Sequence, residues 1–107
     1  ISWVRAAEKE FLTFPQPVQD QIKFALQIAA VGQMADTAKP MKGIESGIYE
    51  IAQPHRGDAY RAVYSIKIDD DLWVVHAFQK KSTQGIKTPK HEIDVIRERL
   101  KRLKELR

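Results

Sequence analysis

Three segments of this chain carry the period-two alternation of strands and are rich in β-branched and aromatic residues. They are Gly47 to Gln53 (GIYEIAQ), Ala59 to Ile66 (AYRAVYSI) and Leu72 to Gln79 (LWVVHAFQ). Only His55-Arg56-Gly57-Asp58 and Asp69-Asp70-Asp71 separate them. Breaks this short cannot hold the crossover of roughly a dozen residues that parallel neighbours need, so the segments must pair antiparallel, as a three-stranded meander. Alternation puts Arg61, Val63 and Ser65 of the middle strand on one face and Tyr60, Ala62 and Tyr64 on the other.

The flanks read as helical. Trp3 to Phe14 is a short strand end followed by a helix carrying Ala6, Ala7, Glu8 and Glu10, which Pro15 and Pro17 break and restart. Val18, Ile22, Ala25, Leu26 and Ala29 then fall on one helical face, with Gly32 as the stop. Residues 33–46 hold turn formers without a sustained period and read as a loop. After the strands, Thr88 is a candidate N-cap with Pro89 at the first helical position, though His91 stands where a capping box would place Glu. Ile93, Ile96, Leu100 and Leu103 form the apolar stripe of this last helix, and Arg97, Arg99, Lys101 and Arg102 are expected to face outward. The expected fold is α+β: N-terminal helices and a C-terminal helix packed on a small antiparallel sheet, in one domain spanning residues 1–107.

Composition sets the outer bounds. At 107 residues and 43% hydrophobic, the chain has enough apolar surface for one real core but not for a second substrate domain. No apolar run approaches the ~18–20 residues of a membrane helix, and no charged-then-apolar leader is visible. The chain starts at Ile1 rather than Met, which is compatible with native sequence before it. The absence of Cys excludes disulfides, thiolate metal sites and thiol nucleophiles, and fits a reducing cytoplasm. The net charge of +4 is unevenly spread. Residues 78–107 hold ten Lys/Arg against four acids, so they carry +6 and the rest −2. Such asymmetry suits either a polyanion-binding end or a solvated basic helix.

Familiar catalytic motifs are missing: no G-x-S-x-G, Walker A or H-E-x-x-H pattern occurs. His55, His76 and His91 lack metal-ligand spacing, and His76, inside an apolar strand, reads as a hydrogen-bonded core residue. Asp69-Asp70-Asp71 reads as a solvated hairpin turn, because adjacent loop carboxylates do not converge on one cation without other oxygen ligands. No metal or cofactor is expected. What remains is cationic. Lys80 and Lys81 close the last strand, Lys87 and Lys90 follow, and Arg61 lies on the neighbouring strand. Successive strand residues face opposite ways, so at most one of Lys80 and Lys81 shares the Arg61 face unless the strand ends at Lys80. Arg as a planar fork and Lys as a point charge suit a phosphate. Phe78 beside them is either a core aromatic or a platform on which a base stacks.

Three stretches carry a resemblance: Tyr60-Arg61-Ala62-Val63-Tyr64, His76-Ala77-Phe78-Gln79-Lys80-Lys81-Ser82, and Gly85-Ile86-Lys87-Thr88-Pro89 with Glu92-Ile93. Together with Lys42-Gly43 they resemble the phage-derived Gp49-like branch of HigB toxins, in the RelE/ParE superfamily of toxin–antitoxin systems. The resemblance covers essentially the whole chain. It implies a compact sheet flanked by helices and a type II toxin: an endoribonuclease that cleaves mRNA in the ribosomal A site by attack of a 2′-hydroxyl, without a metal. It implies as partners the ribosome, mRNA and a helix-turn-helix antitoxin of HigA type. Arg61, Lys80 and Lys81 match the family's basic motif as catalytic residues. Phe78, Lys87, Lys90 and His91 are the candidate RNA contacts. The competing expectations are a ParE-like inhibitor of DNA gyrase and a nucleic-acid-binding module that cuts nothing.

Overall fold

The computed structural model describes residues 1–81 and 87–106. Along the chain run β1 (Ser2–Trp3), α1 (Arg5–Phe11), α2 (Gln16–Ala30), β2 (Ala38–Pro40), β3 (Ile48–His55), β4 (Asp58–Ile68), β5 (Asp71–Lys80) and α3 (Lys90–Glu105). The α+β class is as expected. The expected meander is β3-β4-β5, the centre of a larger five-stranded sheet of order β1-β5-β4-β3-β2. β1 pairs parallel with β5, and all other neighbours are antiparallel. The sheet is therefore mixed, and residues 33–46 are not wholly loop, because β2 lies within them. Strands of two and three residues are too short to show a period, and Pro40 is tolerated in β2 because that strand is an edge.

Local chemistry sets the joints. Both hairpins turn on two residues with positive φ: Arg56 (50°) and Gly57 (87°), then Asp69 (52°) and Asp70 (55°). This is the geometry whose twist matches a right-handed hairpin, and Gly and Asp accept it more readily than most residues. The aspartate run is thus a turn, and no cluster of three or more His or acidic side chains fit to hold a metal forms among the described residues. Gly32 ends α2 at φ 87°, its N–H bonded to the Ala29 carbonyl and the next N–H, of Gln33, to the Ile28 carbonyl. That pair of bonds is a Schellman cap.

Two cores sandwich the sheet. Phe11, Val18, Ile22 and Leu26 of α1 and α2 pack on Ile51, Ala62, Tyr64, Val74 and Ala77. On the opposite face Ile96, Leu100 and Leu103 of α3 pack on Ile48, Val63, Val75 and Phe78. The alternation read from β4 is therefore correct: Ala62 and Tyr64 face α2, and Val63 faces α3. Between Val63↔His76 and Tyr64↔Val74 the register skips Val75, a bulge that leaves both Val75 and His76 buried. Among the described residues no helix is long and apolar enough to cross a membrane.

α3 departs from the expected start. Pro89 is its N-cap residue, not its first helical one, and no side chain caps the helix. The Pro89 carbonyl accepts the first N–H groups, from Glu92 and Ile93 at 3.0 and 3.2 Å. The hydroxyl of Thr88 is committed elsewhere. Arg99 also departs from expectation by folding inward, its Nη1 lying 2.9 Å from Glu10 Oε1, 3.2 Å from the Val75 carbonyl and 2.9 Å from His76 Nδ1.

Candidate functional site

The α3 face of the sheet carries charge at one end. Cross-strand register aligns Lys39 with Glu50, Ala52 with Arg61, Arg61 with Phe78 and Ala59 with Lys80. Paired residues share a face, as do residues two apart on one strand, so Lys39, Glu50, Arg61 and Lys80 come from four adjacent strands onto one surface. Lys80 is thus the lysine that shares the Arg61 face. It is 2% exposed, whereas Lys81, one residue beyond β5, is exposed.

Glu50, 1% exposed, organises the cluster. Its Oε1 accepts a hydrogen bond from Arg61 Nη1 at 2.6 Å, and its Oε2 accepts one from the Thr88 hydroxyl at 2.8 Å. The same Arg61 nitrogen lies 3.3 Å from the Thr88 oxygen. Three elements are thereby joined: β3, β4 and the lead-in to α3. A buried carboxylate is stable only when paired and hydrogen-bonded, and here both of its oxygens have donors. The Lys80 ammonium sits in the same charged surroundings. Burial, then the positive charge of Arg61, hold its pKa below the ordinary 10.5; Lys39 acts in the same direction and Glu50 opposes it. The neutral amine is more accessible to Lys80 than to a surface lysine.

Beside this cluster runs an open groove of about 640 Å³, lined by Lys39, Met41, Lys42, Lys87, Ile93 and Arg97 and reaching Glu50 and Thr88. Lys87 therefore joins the neighbourhood of Arg61 and Lys80. The other expected contacts do not. Lys90 is exposed and paired to Asp94 at 2.9 Å. His91 is an exposed side chain 3.5 Å from Glu92. Phe78 is 7% exposed, packed against α3 and stacked on His76 at a centroid distance of 5.2 Å, so it is a core aromatic with no free face for a base.

His76 is the hydrogen-bonded core residue that its strand suggested. Its Nε2 lies 2.8 Å from Glu92 Oε1, and its Nδ1 lies 2.9 Å from Arg99 Nη1 and 3.3 Å from Glu10 Oε1. The network ties β5 to α1 and α3 and fixes α3 over the sheet.

Glu50 and Thr88 were not among the candidates read from the sequence. The signal for Glu50 is a lone carboxylate on the Ile48 face of an otherwise apolar strand, where burial demands a cation. Thr88 gave no such signal, since a Thr before Pro and a helical stripe matches a cap equally well.

No curated protein matches the chain. Among solved structures it is similar to a chain of the RelB-RelE antitoxin-toxin complex from Methanococcus jannaschii, with 15% identity and a TM-score of 0.57 over 82% of this chain and 100% of that one. At that identity the likeness is one of fold. The sequence pattern described as phage derived protein Gp49-like (DUF891) matches residues 9–101. That span runs from α1 into α3 and takes in Glu50, Arg61, Lys80 and Thr88, and the chain belongs to the Gp49-like family.

Proposed function

We propose that residues 1–107 act as one toxin domain of a type II toxin–antitoxin pair, of HigB type, that cleaves mRNA in the ribosomal A site. The observation that carries this reading is the convergence of Arg61 and Lys80, both buried, on one sheet face beside a cationic groove. In-line attack of a 2′-oxygen on the adjacent phosphorus forms one P–O bond and breaks the bond to the 5′-oxygen. The 2′-hydroxyl gives up a proton, the 5′-oxygen takes one, and negative charge grows on the phosphoryl oxygens. Cations held in place before the reaction stabilise that charge without reorganising. Arg61, oriented by Glu50, holds the phosphate. Lys80 either neutralises the transition state as an ammonium or, in its neutral form, receives the 2′ proton.

Because Arg61 and Lys80 are only 7% and 2% exposed, a phosphate reaches them only when neighbouring atoms move. This supports a dependence on the ribosome, which supplies substrate geometry, and little cleavage of free RNA is expected. No metal or cofactor enters this mechanism. The partners are the ribosome, mRNA and a HigA-like helix-turn-helix antitoxin, in the cytoplasm. Regulated expression in a bacterium tests the reading: growth should stop and new mRNA 5′ ends should appear inside translated frames. Growth arrest with intact mRNA and inhibited DNA gyrase would instead favour a ParE-like activity, and salt-sensitive binding without cleavage a silent RNA-binding module.

A further inference from the structure

The groove between β2 and α3 has a composition that the cleavage chemistry does not require. Its rim carries Lys39, Lys42, Lys87 and Arg97, and its floor includes the partly buried Met41 and Ile93. The acid it reaches, Glu50, is already held by Arg61 and Thr88. Lys39, Lys42 and Lys87 form no ion pair among the described residues. Most cations of α3 that lie elsewhere are matched, Lys101 excepted: Lys90 with Asp94, Arg102 with Glu98, Lys104 with Glu45 and Arg99 with Glu10. Arg97 donates to the Gly43 carbonyl and so braces the rim between β2 and β3 against α3. Three unmatched lysines, two from β2 and the residues just after it and one from the lead-in to α3, thus converge on one groove, whereas α3 largely neutralises its charge away from it.

We propose that this groove seats the nucleotide next to the scissile linkage, with Lys39, Lys42 and Lys87 on the phosphates of single-stranded RNA and Met41 and Ile93 against the base. Unmatched ammonium groups at the rim suit a chain of phosphates, and an apolar floor suits the flat face of a base, where water is cheaply displaced. An acidic peptide would use the rim but offers the floor a planar ring only where it carries an aromatic residue. The identity of the ligand rests on the nuclease reading; the groove itself does not.

The test is binding of a short RNA made uncleavable by a 2′-deoxy substitution, titrated at several salt concentrations. Lys39→Gln, Lys42→Gln and Lys87→Gln together, all at exposed positions, should weaken binding at least tenfold at low salt. They should also flatten the log–log salt slope by about 2, at roughly 0.7 for each phosphate of a single strand that is no longer neutralised. An abasic strand of equal charge should bind the unaltered protein several-fold more weakly than the base-bearing strand. Unchanged affinity and slope in the triple variant would overturn the proposal. So would equal binding of abasic RNA, base-bearing RNA and an oligoglutamate of matched charge, which would leave a plain anion surface fit for an acidic peptide. Cleavage on ribosomes is scored separately. Groove-dependent binding by a chain that never cuts would sink the nuclease and spare the groove, and cutting by a chain whose binding ignores these lysines would do the reverse.

Discussion

Lys80 carries the sharpest consequence at the scale of single residues. Its pKa is lowered, so the folded chain releases that proton at a lower pH than the unfolded chain does. If the neutral amine accepts the 2′ proton, cleavage on the ribosome rises with pH toward an apparent pKa below 10.5. Lys80→Arg keeps a cation that cannot deprotonate. It should lose this rise and about 10²–10⁴-fold in rate. A pH series of single-turnover cleavage checks both, and an unaltered alkaline limb in Lys80→Arg would remove Lys80 from the role of base. Glu50 makes a different prediction, about stability. Glu50→Gln removes the buried carboxylate that Arg61 is paired to and that favours the charged form of Lys80, and should cost about 3 kcal/mol in urea denaturation. Replacing Glu50 and Arg61 together by Met should return most of that loss, because a buried pair offsets little more than its own desolvation.

At the scale of elements, Thr88 shows where sequence reading reached its limit. A Thr before Pro ahead of an apolar stripe matches an N-cap, but a buried carboxylate across the sheet competes for the same hydroxyl and takes it. Thr88→Val keeps the shape and removes the donor. It should cost about 1–2 kcal/mol through the orphaned Glu50 oxygen while leaving the helical circular dichroism signal in place. A loss of helix content would return Thr88 to the role of cap. Long periodic elements were legible: β3, β4, β5, α2 with its Gly32 stop, and the stripe of α3. β2 was not, since its three residues gain their pairing only from β3. The same logic separates the site residues. Alternation along β4 and β5 could place Arg61 and one lysine on a common face, because that depends on local periodicity. Which lysine, and that Phe78 would be buried against α3, depended on tertiary packing. The stretch at residues 82–86, which carries part of the family resemblance, lies outside the described residues.

Across the whole molecule, the division of labour follows the two faces of the sheet. The α1–α2 side is a closed apolar core, with aromatic contacts running from Trp3 through Phe11 and Phe14 to Tyr60. The α3 side is apolar near Val63 and Leu100 but charged where Glu50, Arg61 and Lys80 meet. The +6 of the last thirty residues is therefore not all solvated helix: Lys80 is buried in the site, Lys87 lines the groove, and Arg99 is folded into the His76 network. The central claim is that buried cations of one sheet face break an RNA linkage on the ribosome. It is tested most directly by mapping mRNA 5′ ends in a purified translation reaction containing the unaltered chain, Arg61→Gln or Lys80→Met, each shown to be folded. New ends within the frame are expected for the unaltered chain and at least a hundredfold fewer for either variant; equal cleavage by all three would contradict the claim.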